Sequence, residues 1–144
     1  MKQKDKEIIR LMRTGKRLNI SEIARQLNLP ISTVNDSIKR IEKKYVIKRS
    51  SLLDYHKCGY FANAKLTIRI DHSQKKTFLD FLRQQDCVNS IYHVNSNFDF
   101  LIDVVCRDAV ELKHWIEEVR RNFSVNISVF QIFKVEEKER FVPK

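Results

Sequence analysis

The most constraining stretch of this sequence is Ile23-Ala24-Arg25-Gln26-Leu27-Asn28-Leu29-Pro30-Ile31-Ser32-Thr33-Val34. Two short helices that cross closely through a tight turn need a small residue where the second helix passes over the first. Ala24 meets that need. They also need a residue that tolerates the left-handed conformation at the turn, and Asn28 is one. An apolar plug must follow the turn, and another must sit inside the next helix. Leu29 and Val34 fill those positions. The pattern is that of a helix-turn-helix.

The flanking residues extend it to three helices within residues 5–44. Asp5 is expected to cap the first, whose apolar positions are Ile8, Ile9, Leu11 and Met12, with Thr14 and Gly15 as its stop. Ser21 is expected to cap the second, with Ile23, Ala24 and Leu27 inward. Leu29-Pro30 opens the third, whose inward positions Val34, Ile38 and Ile41 recur at helical spacing. The β-branched run Tyr45 to Leu53 follows and reads as a strand and turn, the wing of such a motif.

Charge gives this segment a partner. Of the net +10, residues 1–50 carry +9, from 14 Lys and Arg against 5 Asp and Glu, while residues 51–144 carry +1. A local basic excess attracts a phosphate backbone by counterion release. The expected partner is double-stranded DNA, with the outward face of helix three in the major groove. Its first half offers Ile31, Ser32, Thr33, Asn35 and Asp36. Asn35 suits bidentate contact with adenine, and Asp36 suits acceptance from cytosine N4. Asp36 has a competing role, pairing with Lys39 or Arg40 on its own helix. Ser21, at the start of helix two, joins the DNA-facing set. Lys39, Lys43 and Lys44, with Lys48 and Arg49 in the wing, are placed for phosphates.

Residues 54–59 are polar and end in Gly59, which sets the domain division at 1–53 and 54–144. The second part reads strand, helix, strand, strand, helix, strand. Ala62, Ala64, Leu66, Ile68 and Ile70 alternate with polar residues, as in a strand covered on one face. A helix over 74–85 turns Phe78, Phe81 and Leu82 inward. Strands over 88–95 and 98–107 flank a turn at Asn95-Ser96-Asn97. A helix over 109–122 carries the stripe Leu112, Trp115, Ile116 and Val119, and a last strand runs over 125–135. The fold class is therefore α+β: an N-terminal winged helix-turn-helix, then a ferredoxin-like βαββαβ sandwich. Leu101, Val105, Phe130 and Ile132 make the second face of the sheet apolar as well. With both helices on the first face, a partner subunit is expected to cover the second. A homodimer would also present two helix-turn-helix units to a palindrome.

Several chemistries lack their residues. Three cysteines, Cys58, Cys87 and Cys106, are dispersed, which argues against a disulfide framework or paired zinc ligands. The four histidines form no metal motif, and two glycines cannot build a phosphate-cradling loop. No cofactor and no enzymatic activity are expected. No apolar run reaches the about 20 residues that span a bilayer, and the charged start lacks a signal-peptide core. The expectation is a cytoplasmic protein with no membrane partner.

The combination resembles the Lrp/AsnC (feast/famine) regulators over nearly the whole chain. Asp5-Lys6-Glu7-Ile8-Ile9 is similar to the family's opening Asp-x-x-Ile-Leu, and Ser21-Glu22-Ile23-Ala24 with Leu27 and Leu29 to its second helix. Val34 through Ile41 with Tyr45-Val46-Ile47 is similar to its third. Val94-Asn95-Ser96-Asn97-Phe98-Asp99-Phe100-Leu101 is similar to its Val-Ser/Thr-Gly-x-x-Asp-Tyr/Phe-Leu motif. The resemblance implies a transcription regulator built from dimers, often assembled to octamers, with an effector, commonly an amino acid, bound at Asn95, Ser96, Asn97 and Asp99. Ser96 replaces the motif glycine, and a serine makes close backbone approach and positive φ harder. Tyr45 replaces the glycine before the wing. Two other readings compete. One is an Lrp-like decarboxylase of tetrapyrrole biosynthesis, with Arg69 and His93 in its pocket. The other is an architectural protein that binds DNA without sequence preference.

Overall fold

The structure is a computed structural model that describes residues 2–13, 18–48, 50–95, 97–139 and 141. The chain divides into two compact units: Met1–Ser51 with Glu136–Lys144, and Leu52–Val135.

The first unit is three helices, α1 (Gln3–Arg13), α2 (Ile20–Leu27) and α3 (Ile31–Tyr45). Their apolar stripes meet in a core of Ile8, Ile23, Ala24, Val34 and Ile41, with Leu27, Leu29 and Ile38 packed against it. Ala24 is buried, as the close crossing requires. Asn28 adopts the left-handed conformation at φ 51°, and its N–H donates to the Ala24 and Arg25 carbonyls. Leu29 N–H also donates to Ala24, at 2.9 Å. Pro30 stands immediately before α3. The helix-turn-helix expected from the spacing is formed.

The helix starts differ from expectation. α1 begins at Gln3, so Asp5 lies within its first turn and is buried. Asp5 is therefore not a cap; its carboxylate serves α3 instead. Asn19, not Ser21, caps α2. Its Oδ1 accepts from Glu22 N–H at 2.8 Å, and Glu22 Oε2 accepts from Asn19 N–H at 2.9 Å. This reciprocal box needs Glu or Gln three residues after the cap. Asn19 has Glu22 there, whereas Ser21 has Ala24. The expected stop at Thr14 and Gly15 lies outside the described residues. The expected wing strand is absent among the described residues between Val46 and Leu53. Tyr45 closes α3, and the apolar residues beyond it find no neighbouring strand to complete a ladder.

The second unit has β1 (Ala62–Ile70), α4 (Lys75–Arg83), β2 (Val88–His93), β3 (Phe100–Cys106), α5 (Ala109–Asn122) and β4 (Val125–Gln131). The sheet order is β2-β3-β1-β4 with every pair antiparallel. This is the ferredoxin-like sandwich. Both helices cover one face, where Leu66, Ile68, Ile102 and Val104 pack against Phe78, Leu82, Leu112, Trp115 and Val119. Each such fully buried side chain contributes about 1.5–3 kcal/mol relative to exposure. Trp115 Nε1 donates to Gln85 Oε1 at 3.1 Å, which satisfies the one polar atom the indole brings inside.

β4 is four residues shorter than the pattern suggests. Ala64 pairs with Gln131 and Ile132 N–H still reaches Asn63 O, one residue from the start of β1 at Ala62, so the ladder runs out before residue 135. The opposite face of the sheet carries Lys65, Thr67 and Arg69 from β1, Leu101, Asp103 and Val105 from β3, Tyr92 from β2 and Phe130 from β4. Phe130 is 56% exposed and Tyr92 48%. An ion pair between Lys65 and Asp103 lies among them.

Candidate nucleic-acid interface

α3 turns about 100° per residue, which sorts its side chains by direction. Val34, Ile38 and Ile41 face the core of the unit. Ser32, Asp36, Lys39 and Lys43 form the opposite row, all exposed. Thr33 is exposed beside that row, and Ile31 is 56% exposed at the helix start. Asn35 sits about a quarter turn from Val34 and is half-buried, on the flank of the helix rather than its crest. Ser21 is exposed on α2, and Lys48 is exposed after α3. Arg49 lies outside the described residues.

The crest row can do what a major-groove reader needs. Ser32 and Asp36 offer acceptors near the helix N-terminus, and the two lysines follow towards its C-terminus, where phosphates run past the groove. Asp36 is free for that use. Its alternative partner, Arg40, turns away to the buried carboxylate of Asp5 at 2.6 Å, with a second contact to Ser37 Oγ at 3.3 Å. Among the described residues Asp36 has no ion pair, so the expected pairing with Lys39 or Arg40 is not formed. The contact between Arg40 and Asp5 is one that the sequence reading missed. They stand 35 positions apart, and no local spacing announces their contact.

The candidate effector residues of the second unit are less open. Asn95 and Asn97 are exposed, and Ser96 lies outside the described residues. Each Asp99 oxygen already has a partner. Its Oδ1 meets Lys75 Nζ at 2.6 Å and its Oδ2 accepts from Ile70 N–H at 2.8 Å. The Lys75 ammonium, followed by the Ile70 N–H, holds the Asp99 carboxyl below the usual carboxylate range. An ammonium group thus already occupies the carboxylate assigned to a ligand. Lys75 was also missed, because its pairing is set by the approach of α4 to the turn before β3.

Arg69 and His93 do not converge. Arg69 pairs with Asn126 on the open face, whereas His93 shares register with Phe100 on the helix-covered side and contacts its ring at 4.9 Å. Cys106 lies in the core of the second unit, and Cys87 packs against that core. Burial pushes both thiols up, Cys106 to about 12, which keeps them protonated and unreactive. Among the described residues no group of His, Cys, Asp and Glu is arranged to hold a metal ion, and no helix is long and apolar enough to cross a membrane.

Comparison with known proteins decides the family. Residues 1–48 match the model of a winged helix-turn-helix DNA-binding family. An uncharacterized HTH-type transcriptional regulator of Pyrococcus horikoshii is 30% identical over 115 residues, covering 79% of this chain and 73% of that protein. The chain belongs to the HTH-type transcriptional regulators. Its fold is that of the Lrp/AsnC regulators: Escherichia coli AsnC superposes with a TM-score of 0.86 at 16% identity, covering 99% of both chains. A Neisseria meningitidis transcriptional regulator, solved as a complex with L-methionine, superposes at 0.88 with 16% identity, covering 99% of this chain and 96% of that one. In this regulator the crest of α3 stands open to solvent.

Proposed function

We propose that this regulator recognises particular DNA sequences as a homodimer or a larger assembly such as an octamer, with residues 1–53 reading DNA and residues 54–144 joining the subunits. The observation that carries this reading is the crest of α3, where Ser32 and Asp36 are exposed, and without a side-chain partner among the described residues, beside Lys39 and Lys43. Acceptors of this kind, near a helix N-terminus, discriminate base edges, whereas lysines alone would bind any duplex. Thr33, Ile31 and Ser21 lie close enough to that crest to add contacts, and Asn35 reaches it from the flank. Lys48 and Arg49 extend the phosphate contacts.

Subunits related by a two-fold axis would place two such helices on a palindromic site. The open sheet face, with Leu101, Val105, Tyr92 and Phe130, suits a second copy of itself. The protein works as a binder rather than an enzyme, in the cytoplasm where the DNA of cells like those of its relatives lies. The L-methionine complex of the Neisseria protein supports an amino-acid effector, and the similarity of residues 94–101 to the family motif is what points to residues 95–99 as its place. Such a ligand would share Asp99 with the ammonium of Lys75 or displace it.

Selection of bound duplexes from a random pool, with and without amino acids, tests the proposal. The wild type is expected to enrich a two-fold symmetric sequence, and Asp36→Asn to change preference at one base pair per half-site, by about 1–3 kcal/mol. A pool that stays random would instead identify a non-specific architectural binder.

A further inference from the structure

A groove of about 400 Å³ opens in the first unit between the start of α1 and the second half of α3. It is lined by Lys2, Asp5, Arg40, Lys44 and Tyr45. Three of the five are cations. Asp5 is the one acid among them, and Arg40 already holds its carboxylate. Lys2 and Lys44 therefore bring two positive charges to one groove without a carboxylate to match them. Neither has an ion pair among the described residues. Lys44 Nζ lies 5.4 Å from the centre of the Tyr45 ring, a weak attraction at an exposed site.

Placement gives the groove its use. Arg40 and Lys44 each follow a crest residue, Lys39 and Lys43, by one position. Their flank of α3 is thus about 100° round from the crest, on the side where α1 begins. A duplex seated on the crest carries its sugar-phosphate backbone past that flank. Like charges gathered in a groove repel one another unless an anion joins them. A phosphodiester is the anion that docking on the crest would bring.

We propose that the groove is a second DNA contact, in which Lys2 and Lys44 hold backbone phosphates flanking the base pairs read by α3. Arg40, fixed by Asp5, lines the same groove. This proposal rests on α3 being the recognition helix. Both lysines are exposed, so their replacement leaves the core of the unit intact.

The test measures affinity of the full-length Lys2→Ala/Lys44→Ala variant for a selected duplex across a salt series. The slope of log K against log salt is expected to fall by about 2 per bound subunit, since each phosphate contact contributes about 0.9. Preference among selected sequences is expected to stay the same. On a duplex with uncharged methylphosphonate linkages flanking the recognised base pairs, variant and wild type are expected to coincide. An unchanged slope on the natural duplex overturns the proposal, as does an equal loss on the methylphosphonate duplex. Lys39→Ala/Lys43→Ala separates the two levels of inference. If that variant binds weakly while Lys2→Ala/Lys44→Ala binds normally, only the groove is wrong. If neither loses affinity, the recognition helix is wrong and the groove falls with it.

Discussion

Arg40 Nη2 donates to Asp5 Oδ1 at 2.6 Å, joining the middle of α3 to the first turn of α1. The two ends of this contact live in different surroundings: the Asp5 side chain is 5% exposed and that of Arg40 47%. Removal of Arg40 would strand a buried carboxylate, whereas removal of Asp5 would leave a cation that water can still solvate. The pair ties the flank of α3 to α1, beside the core contacts of Val34, Ile38 and Ile41 that turn its other face outward.

Arg40→Ala is expected to lower stability by about 1.5–3 kcal/mol, as for a hydrogen bond to a charged group. This is less than the 3–5 kcal/mol, roughly, for breaking a fully buried pair, because half of Arg40 is already in water. Asp5→Asn is expected to cost less than Arg40→Ala, since its amide can still accept from the guanidinium. Urea denaturation of the three proteins checks the order. Equal stability for all three would mean that the contact holds nothing in place.

This contact also marks what the sequence could and could not reveal. Ala24, Asn28, Leu29 and Val34 act within one turn of chain, so their spacing alone announces the helix-turn-helix. The alternation along β1 is equally local, and it set the sheet and its covered face. Asp5 was misread because its partner lies 35 residues away, and a carboxylate near a helix start looks like a cap from nearby sequence. The family resemblance points Asp99 at a ligand, and nothing near it in the sequence announces the partner it has in the fold. Only the folded chain brings the Lys75 ammonium to it. The run after Tyr45 has the composition of a strand, but composition does not supply a neighbouring strand. The crest row of α3 follows from helical geometry, and only the solvent exposure of each side chain moved emphasis from Asn35 to Asp36.

The open sheet face makes a prediction about assembly. Leu101 is half-buried there, opposite Thr67 on β1 and Tyr92 on β2. A second copy packed on this face would bury it fully. Leu101→Glu would then place a charge in an apolar contact, at a cost that raises the dimer dissociation constant by about 100-fold, or about 2.7 kcal/mol. Sedimentation velocity is expected to show monomers at concentrations where the wild type is dimeric, with an unchanged circular dichroism spectrum. A variant that still dimerises normally would place the subunit contact elsewhere.

The Asp99 carboxylate makes a prediction about pH. Lys75 Nζ at 2.6 Å and Ile70 N–H at 2.8 Å both favour its charged form. Its folded pKa is therefore depressed, with the Lys75 ammonium as the larger cause. An unfolded aspartate titrates near about 3.9. A group whose pKa is lower in the folded state stabilises the fold fully above the unfolded value. That contribution drains away as pH falls through the folded value, because the unfolded chain binds the proton more readily. Asp99→Asn cannot titrate and lacks the charge that Lys75 needs. It is expected to melt at a lower temperature than the wild type at neutral pH. The difference should shrink steadily as the pH is taken below about 4, as the wild type loses what the variant never had. Thermal melts of both proteins across that range check this, and the subtraction removes every carboxylate the two share. A difference that stays constant down to the acid limit would show that the Lys75 contact adds no charge-dependent stability. It would also leave Asp99 open to an ammonium brought by a ligand.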